Sequence, residues 1–183
     1  SAAWLASMSP DVAHKVPSAT AGWQRRPLDA AEAALAYPLL LAADGRIEPL
    51  PVWQARVAAW LQGREARRGI TTLRGQGGVI AALFFHAVAG TPAFLGVWRL
   101  RVVEPAGRYQ GLQQALAAVE DVALEHGCVG VLLGAEGQAS GWLRLQADLR
   151  RVAPACGYVP RGAGWFRPLE DADGLIRLPS ALL

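Results

Sequence analysis

Val103-Glu104-Pro105-Ala106-Gly107-Arg108-Tyr109-Gln110-Gly111-Leu112-Gln113 joins an apolar, strand-like run to a long amphipathic pattern, and its reading decides the fold. A strand that stops at a proline and turns straight into a helix leaves backbone N–H groups clustered at the helix start, because the first four have no intrahelical acceptor. The helix macrodipole adds to their pull on an anion. The N–H groups of Tyr109, Gln110, Gly111, Leu112, Gln113 and Gln114 are the expected cradle for a pyrophosphate, which points to a phosphate-bearing cofactor. Gly111 lets the main chain approach a phosphate with no Cβ in the way, and Arg108 can add a charge-assisted bond.

Downstream, Leu112 to His126 is the clearest helix: Leu112, Ala115, Leu116, Val119, Val122 and Ala123 share one face, and Gln113, Glu120, Asp121 and Glu125 the other. Gly127 caps it, and Cys128 to Leu133 reads as a short buried strand. Strand, turn, helix and strand in that order imply a parallel pair. Upstream, Ile70 to Arg74, Val79 to Val88 and Ala93 to Val103 are β-branched and aromatic runs joined by glycine-rich turns, which predict an antiparallel meander. Before them come a short strand near Gly22 to Pro27, a helix from Ala30 to about Leu41 capped by Asp29, and a helix from Val52 to Arg68 stopped by Gly69. A final helix, Gly141 to Val152, precedes two strands at Gly157 to Val159 and Trp165 to Leu169. Residues 1–20 read as an N-terminal extension, 21–169 as a single domain and 170–183 as a C-terminal tail.

Composition narrows the function classes. At 183 residues and 52% hydrophobic, the chain can bury a full core. Its basic residues comprise 17 Arg and one Lys, Lys15, for a net charge of only +3. No run of basic residues interleaves with aromatics, so no nucleic-acid partner is expected. Apolar stretches such as Val79 to Phe85 fall short of the roughly 18 residues a spanning helix needs, and no basic segment leads an apolar core at the N-terminus. The expectation is a cytoplasmic protein with no membrane partner. Cys128 and Cys156 sit in apolar surroundings with no histidine at metal spacing, so both read as buried structural thiols and no metal is expected.

The ordered string Val103-Glu104-Pro105, Arg108-x-x-Gly111, amphipathic helix, buried strand, closing helix and Gly157-Tyr158 resembles the GNAT superfamily of acyl-CoA N-acyltransferases. There the corresponding pieces are a strand ending V-x-P, a pyrophosphate loop R/Q-x-x-G-x-G/A, a helix, a strand, and a last helix followed by G-F or G-Y. The match runs from Ala93 to Leu169 in unbroken order. The resemblance implies an α/β fold with a mixed, mostly antiparallel central sheet, a parallel pair at the cofactor site and flanking helices. It implies acetyl-CoA, or another acyl-CoA, as co-substrate, and an amine of a small molecule or peptide as acceptor. It nominates the main chain of Arg101, Val102 and Val103 for the pantetheine arm. Gln146 aligns where many members carry an Asn, and is placed among the cofactor-binding residues. A homodimer is the oligomer to test.

Three positions depart from the family. Gln113 replaces a small residue of the loop, Gln146 replaces the Asn, and Ala153 stands where many members carry a tyrosine that serves as general acid. These departures keep open an alternative, a non-catalytic relative that binds CoA or another ligand as a sensor or scaffold. Acyl transfer to an amine needs a group to take the amine proton and a donor to polarise the thioester carbonyl. Glu136 beyond the buried strand, His86 in the apolar strand Val79 to Val88, and the Tyr158 phenol are the candidates for proton transfer. Trp53 and Trp60, on the second helix, can line an acceptor pocket, which the acceptor would fill with an apolar or aromatic portion.

Overall fold

The computed structural model describes residues 23–39, 48–62, 67–88, 93–102, 109–134 and 140–169. The expected extension and tail, Val103, Arg108 and Glu136 lie outside them. Seven strands form one sheet: β1 (Gln24–Pro27), β2 (Arg68–Gly75), β3 (Gly78–Val88), β4 (Phe94–Val102), β5 (Gly130–Leu133), β6 (Val159–Arg161) and β7 (Gly164–Pro168), in the order β1-β2-β3-β4-β5-β7-β6. All neighbours are antiparallel except β4 and β5, which run parallel and are linked through helix α2 (Gln110–Glu125). Helix α1 (Leu50–Leu61) precedes β2, and α3 (Ser140–Val152) leads through a 3-10 turn at Pro154–Cys156 into β6.

The sheet separates two cores because side chains alternate along its strands. On one face, Leu83, Phe85, Leu95, Val97 and Leu100 meet the apolar stripe of α2 and, beyond it, Leu145, Leu149 and Val152 of α3. On the other, Ile70 and Phe84 meet Trp53 and Val57 of α1 together with Leu28, Ala33 and Ala36. Trp53 is 1% exposed, and burial of a ring of that size contributes about 3 kcal/mol to stability. Its indole N–H donates to the Ala33 carbonyl at 2.7 Å.

That bond lies within a departure from the expected helix at Ala30 to Leu41. The segment Ala30–Ala36 is wound as a 3-10 helix, and the N–H of Tyr37 donates to the Ala34 carbonyl. The Ala33 carbonyl, which an α-helix would offer to Tyr37, is taken by Trp53. Gly69 likewise does not stop a helix: α1 ends at Leu61, and Gly69 lies inside β2 opposite Phe85. A Cβ at Gly69 would stand 2.5 Å from the Phe85 ring, so the glycine makes room for a cross-strand aromatic.

Between β3 and β4 the register slips by one residue: Phe84 pairs with Arg99 and Phe85 with Val97, leaving Trp98 as an extra residue in β4. A bulge of this kind bends the strand that carries it. Parallel pairing with β5 covers only Leu95, Gly96 and Val97, and the N–H of Gly134 reaches the Val97 carbonyl at 3.2 Å as the last tie. Past that point Trp98 to Val102 have no strand partner on the β5 side among the described residues. The described pairing of β4 with β5 thus stops at the residue before the bulge.

Two expectations follow. Gly164 packs so closely on the end of β5 that a Cβ would stand 2.2 Å from the Leu133 carbonyl oxygen, and main chain cannot swing aside. Gly164→Ala should lower stability by about 2 kcal/mol or more, read by chemical denaturation. Glu32 accepts from the Arg74 guanidinium at 3.1 Å, and this contact first, then a bond from the Asp29 N–H, holds its carboxyl below the ordinary value of 4.5. Because the folded state lowers that value, the stabilisation is complete above it and is lost as the pH falls through the carboxylate range. The melting-temperature gap between parent and Glu32→Gln should therefore be constant at neutral pH and close on acidification below about pH 4.5.

Candidate functional site

Helix α2 connects β4 to β5, and its start follows the end of β4 in the chain. Tyr109, at the N-cap, has φ 50° and ψ 10°, the left-handed region; it is the one non-glycine residue with positive φ among those described. Left-handed Tyr109 followed by right-handed Gln110 turns successive N–H groups toward one side, the nest geometry that suits an anion. A strained N-cap of this kind persists only where its surroundings hold it. Tyr109 is half-buried against the main core, and its hydroxyl oxygen accepts from Arg151 Nη1 at 3.2 Å.

The cradle is shorter than the sequence predicts. The helix begins at Gln110 instead of Leu112, so the Gln113 N–H is already donated to the Tyr109 carbonyl at 2.9 Å. By helix geometry the Gln114 N–H is likewise taken, by the Gln110 carbonyl. Neither Gln113 nor Gln114 can offer its main chain to a ligand, which leaves Tyr109, Gln110, Gly111 and Leu112. Gly111 and Leu112 are buried and each has an interaction within the chain; with no polar side-chain atoms, both make it through the main chain. The Gln113 side chain is exposed, pointing into solvent.

The remaining nominated residues fall in separate places. Arg101 is 3% exposed; its Nη1 donates to the Leu100 carbonyl at 2.9 Å, and a further interaction holds it within the chain. Arg101 and Val102 pair with Ala82 and Ala81 of β3 and lie past the last residue of β4 that pairs with β5. Gln146 donates its side-chain amide to the Ala163 carbonyl at 3.1 Å, which ties α3 to the β6–β7 turn. Ala153 is fully buried beneath the end of α3, and its carbonyl accepts from the N–H groups of Cys156 and Tyr158.

Of the proton-transfer candidates, His86 stands on β3 opposite Gly96, one step before the pairing of β4 with β5 ends. A Cβ at Gly96 would stand 2.9 Å from His86 Cε1, so the imidazole lies over that glycine. The Trp60 ring meets it edge-on, with centroids 6.3 Å apart. Tyr158 is in the main core, 2% exposed, with no hydrogen-bond partner for its hydroxyl among the described residues. Burial pushes the phenol well above its ordinary value, so it stays protonated and cannot serve as a base. Cys128 is buried as expected, whereas Cys156 is only partly so; burial raises both thiols.

Sequence reading passed over two features. Arg151 looks like one more surface arginine of α3, and only the fold brings it to the start of α2. The bulge places Trp98 and Arg99 together: Val97 and Leu100 both face the α2 core, and the two residues between them open onto the opposite face. There Trp98, Trp60, Phe84, Arg56, Arg68 and Arg99 surround a cavity of about 350 Å³. Among the described residues no group of His, Cys, Asp and Glu could hold a metal ion, and no helix is long and apolar enough to cross a membrane.

No family model matches the sequence, and no curated protein matches it. Solved structures do. A candidate acetyltransferase of Salmonella typhimurium, yncA, determined with its cofactor acetyl-CoA, superposes with a TM-score of 0.57 at 16% identity, covering 84% of this chain and 98% of that one. The ribosomal-protein-S18-alanine N-acetyltransferase of Escherichia coli gives 0.54 at 13%, covering 80% and 94%. A GNAT family acetyltransferase of Staphylococcus aureus gives 0.54 at 10%, covering 65% and 90%. With its single parallel pair, its bulged central strand and the helix that links the pair, the chain has the fold of the GNAT acetyltransferases.

Proposed function

We propose that the chain is a divergent GNAT member, an acyl-CoA-dependent N-acyltransferase that uses acetyl-CoA and transfers the acyl group to the amine of a small molecule or peptide. The observation that carries this reading is the end of the β4–β5 pairing at Val97, together with a helix start that has nest geometry. The β4 main chain past Val97, which has no strand partner on the β5 side among the described residues, suits an extended, amide-bearing arm, which can bond along it as an added strand would. Its diphosphate would meet the N–H groups of Tyr109 to Leu112, with Arg108 and Arg151 supplying charge. The interactions that Gly111 and Leu112 make within the chain would be exchanged for the ligand. Likeness to a protein determined with acetyl-CoA supports this choice of co-substrate, and the S18-alanine enzyme supports a peptide or amino-acid amine.

The bound thioester supplies an activated acyl group. The chain's part is to align the acceptor amine with it, which accounts for much of the acceleration. Main-chain N–H groups of β4 at the bulge would polarise the carbonyl. His86, on the cavity side of the sheet one step from the end of the β4–β5 pairing, is our choice to take the amine proton; Glu136 is the second candidate. With an alanine at 153, the leaving thiolate would take its proton from solvent or from the acceptor. Buried Ala153 also favours a second reading, a ligand-binding relative without turnover.

Acetyl-CoA at about a hundred times its Kd should raise the melting temperature by about 5 to 10 °C, and no shift would remove both readings. Thiol release on addition of amines separates them, since only the transferase releases CoA. His86→Gln should lower kcat by roughly 10²-fold with the KM for acetyl-CoA unchanged. Tyr158→Phe should leave turnover unchanged and raise stability by about 1 kcal/mol, because it removes a buried hydroxyl with no partner.

A further inference from the structure

Three rings wall the cavity beside the bulge, and they are not equally occupied. Arg68 lies 4.8 Å over Trp60 and Arg99 5.9 Å over Phe84, so each of these rings already carries a guanidinium. Trp98 carries none among the described residues and is 56% exposed. Trp53, which the sequence nominates for a pocket wall, is 1% exposed and sealed in the core. The Trp98 ring leans on that of Trp60, with centroids 5.7 Å apart and planes tilted by 37°. Trp60 is anchored in turn by its indole N–H, which donates to the Gly69 carbonyl at 3.0 Å, and by an edge-on contact with Phe84 at 5.8 Å. The wall behind Trp98 is therefore fixed before a ligand arrives.

Side-chain polar groups around the cavity are spent, with one exception. Arg56 is paired with Glu48 at 2.6 Å, Arg68 and Arg99 are engaged within the chain, and the Trp60 N–H is bonded to Gly69. The indole N–H of Trp98 has no hydrogen-bond partner among the described residues. It is a donor only, so what it can bind is a hydrogen-bond acceptor. No carboxylate lines the cavity among the described residues to hold a cationic ligand, and its arginines are already taken up within the chain. What fits is an uncharged, flat group that presents a carbonyl. A volume of about 350 Å³ holds one ring with a short chain.

We propose that Trp98 recognises the amine substrate. Its open ring face stacks on an aromatic group of that substrate, and its N–H donates to a neutral carbonyl beside that group, as an aromatic residue with a free amine and an amide-linked carboxyl end presents. The role in transfer rests on the acyltransferase reading; the binding does not. His86 meets the same Trp60 ring edge-on, with centroids 6.3 Å apart, which sets the proposed base at the wall of this cavity. Phenethylamine lacks the carbonyl, and alaninamide lacks the ring.

Binding is tested apart from transfer by ligand-observed NMR without any CoA. 3-Phenylpropionamide has the ring and the carbonyl, toluene only the ring and propionamide only the carbonyl. The first should bind at least about fivefold more tightly than either of the others. Trp98→Phe, which keeps a ring and loses the N–H, should bring 3-phenylpropionamide down to the affinity of toluene and leave toluene unchanged. Trp98→Ala should weaken both by about fivefold or more, with thermal unfolding used to verify that the variants fold. In the thiol-release assay phenylalaninamide should be favoured over both phenethylamine and alaninamide in kcat/KM. Unchanged affinity in both variants, or tighter binding of 3-phenylpropionate than of its amide, overturns the proposal. Turnover with no preference for phenylalaninamide would also overturn it and leave the acyltransferase reading standing. Binding that follows the prediction with no turnover on any amine would keep the ligand class of the cavity and remove the transferase.

Discussion

One extra residue in a central strand governs the functional architecture. The slip between Phe84 and Phe85 on β3 and Arg99 and Val97 on β4 obliges the chain to bulge at Trp98, and a bulge bends the strand that carries it. Parallel pairing with β5 covers three residues of β4 and ends at Val97, the residue before the bulge. The same slip turns Trp98 and Arg99 onto one face, where they line the cavity.

The two cores hold this geometry from opposite sides. The α2 face is mostly aliphatic and continuous from β3 to α3, and it fixes the helix against the sheet. The α1 face is aromatic, and its rings run from Trp53 through Phe84 and Trp60 to His86 and Trp98. Indole N–H groups inside that array are bonded to carbonyls of Ala33 and Gly69, which anchors rings to main chain. Cationic side chains of Arg68 and Arg99 lie over ring faces at the edge of the same array.

Element order was legible in the sequence because periodicity and punctuation agreed along most of the chain. The stripe of Leu112, Ala115, Leu116, Val119 and Val122 matched an α-helical period, and glycine-rich turns separated three β-rich runs, so α2 and the meander fell where expected. Errors came where a distant partner overrode a local signal. The Ala33 carbonyl is taken by Trp53, twenty residues away, and the expected α-helix winds as 3-10. Gly69 looked like a helix stop and proved to be room for the Phe85 ring. Starting α2 two residues early spent the N–H groups of Gln113 and Gln114 inside the helix.

By itself the sequence determined the order of elements, the parallel connection through α2 and the place of the turn that opens it, since each is read from the local pattern of the chain. Tertiary structure decided what those pieces enclose. The register slip at Trp98 is a relation between two strands, and the approach of Arg151 to Tyr109 joins residues 42 apart. The aromatic wall draws on α1, β3 and β4 at once. Periodicity reports which way a side chain points from its own segment; it carries no information on which other segment meets it there.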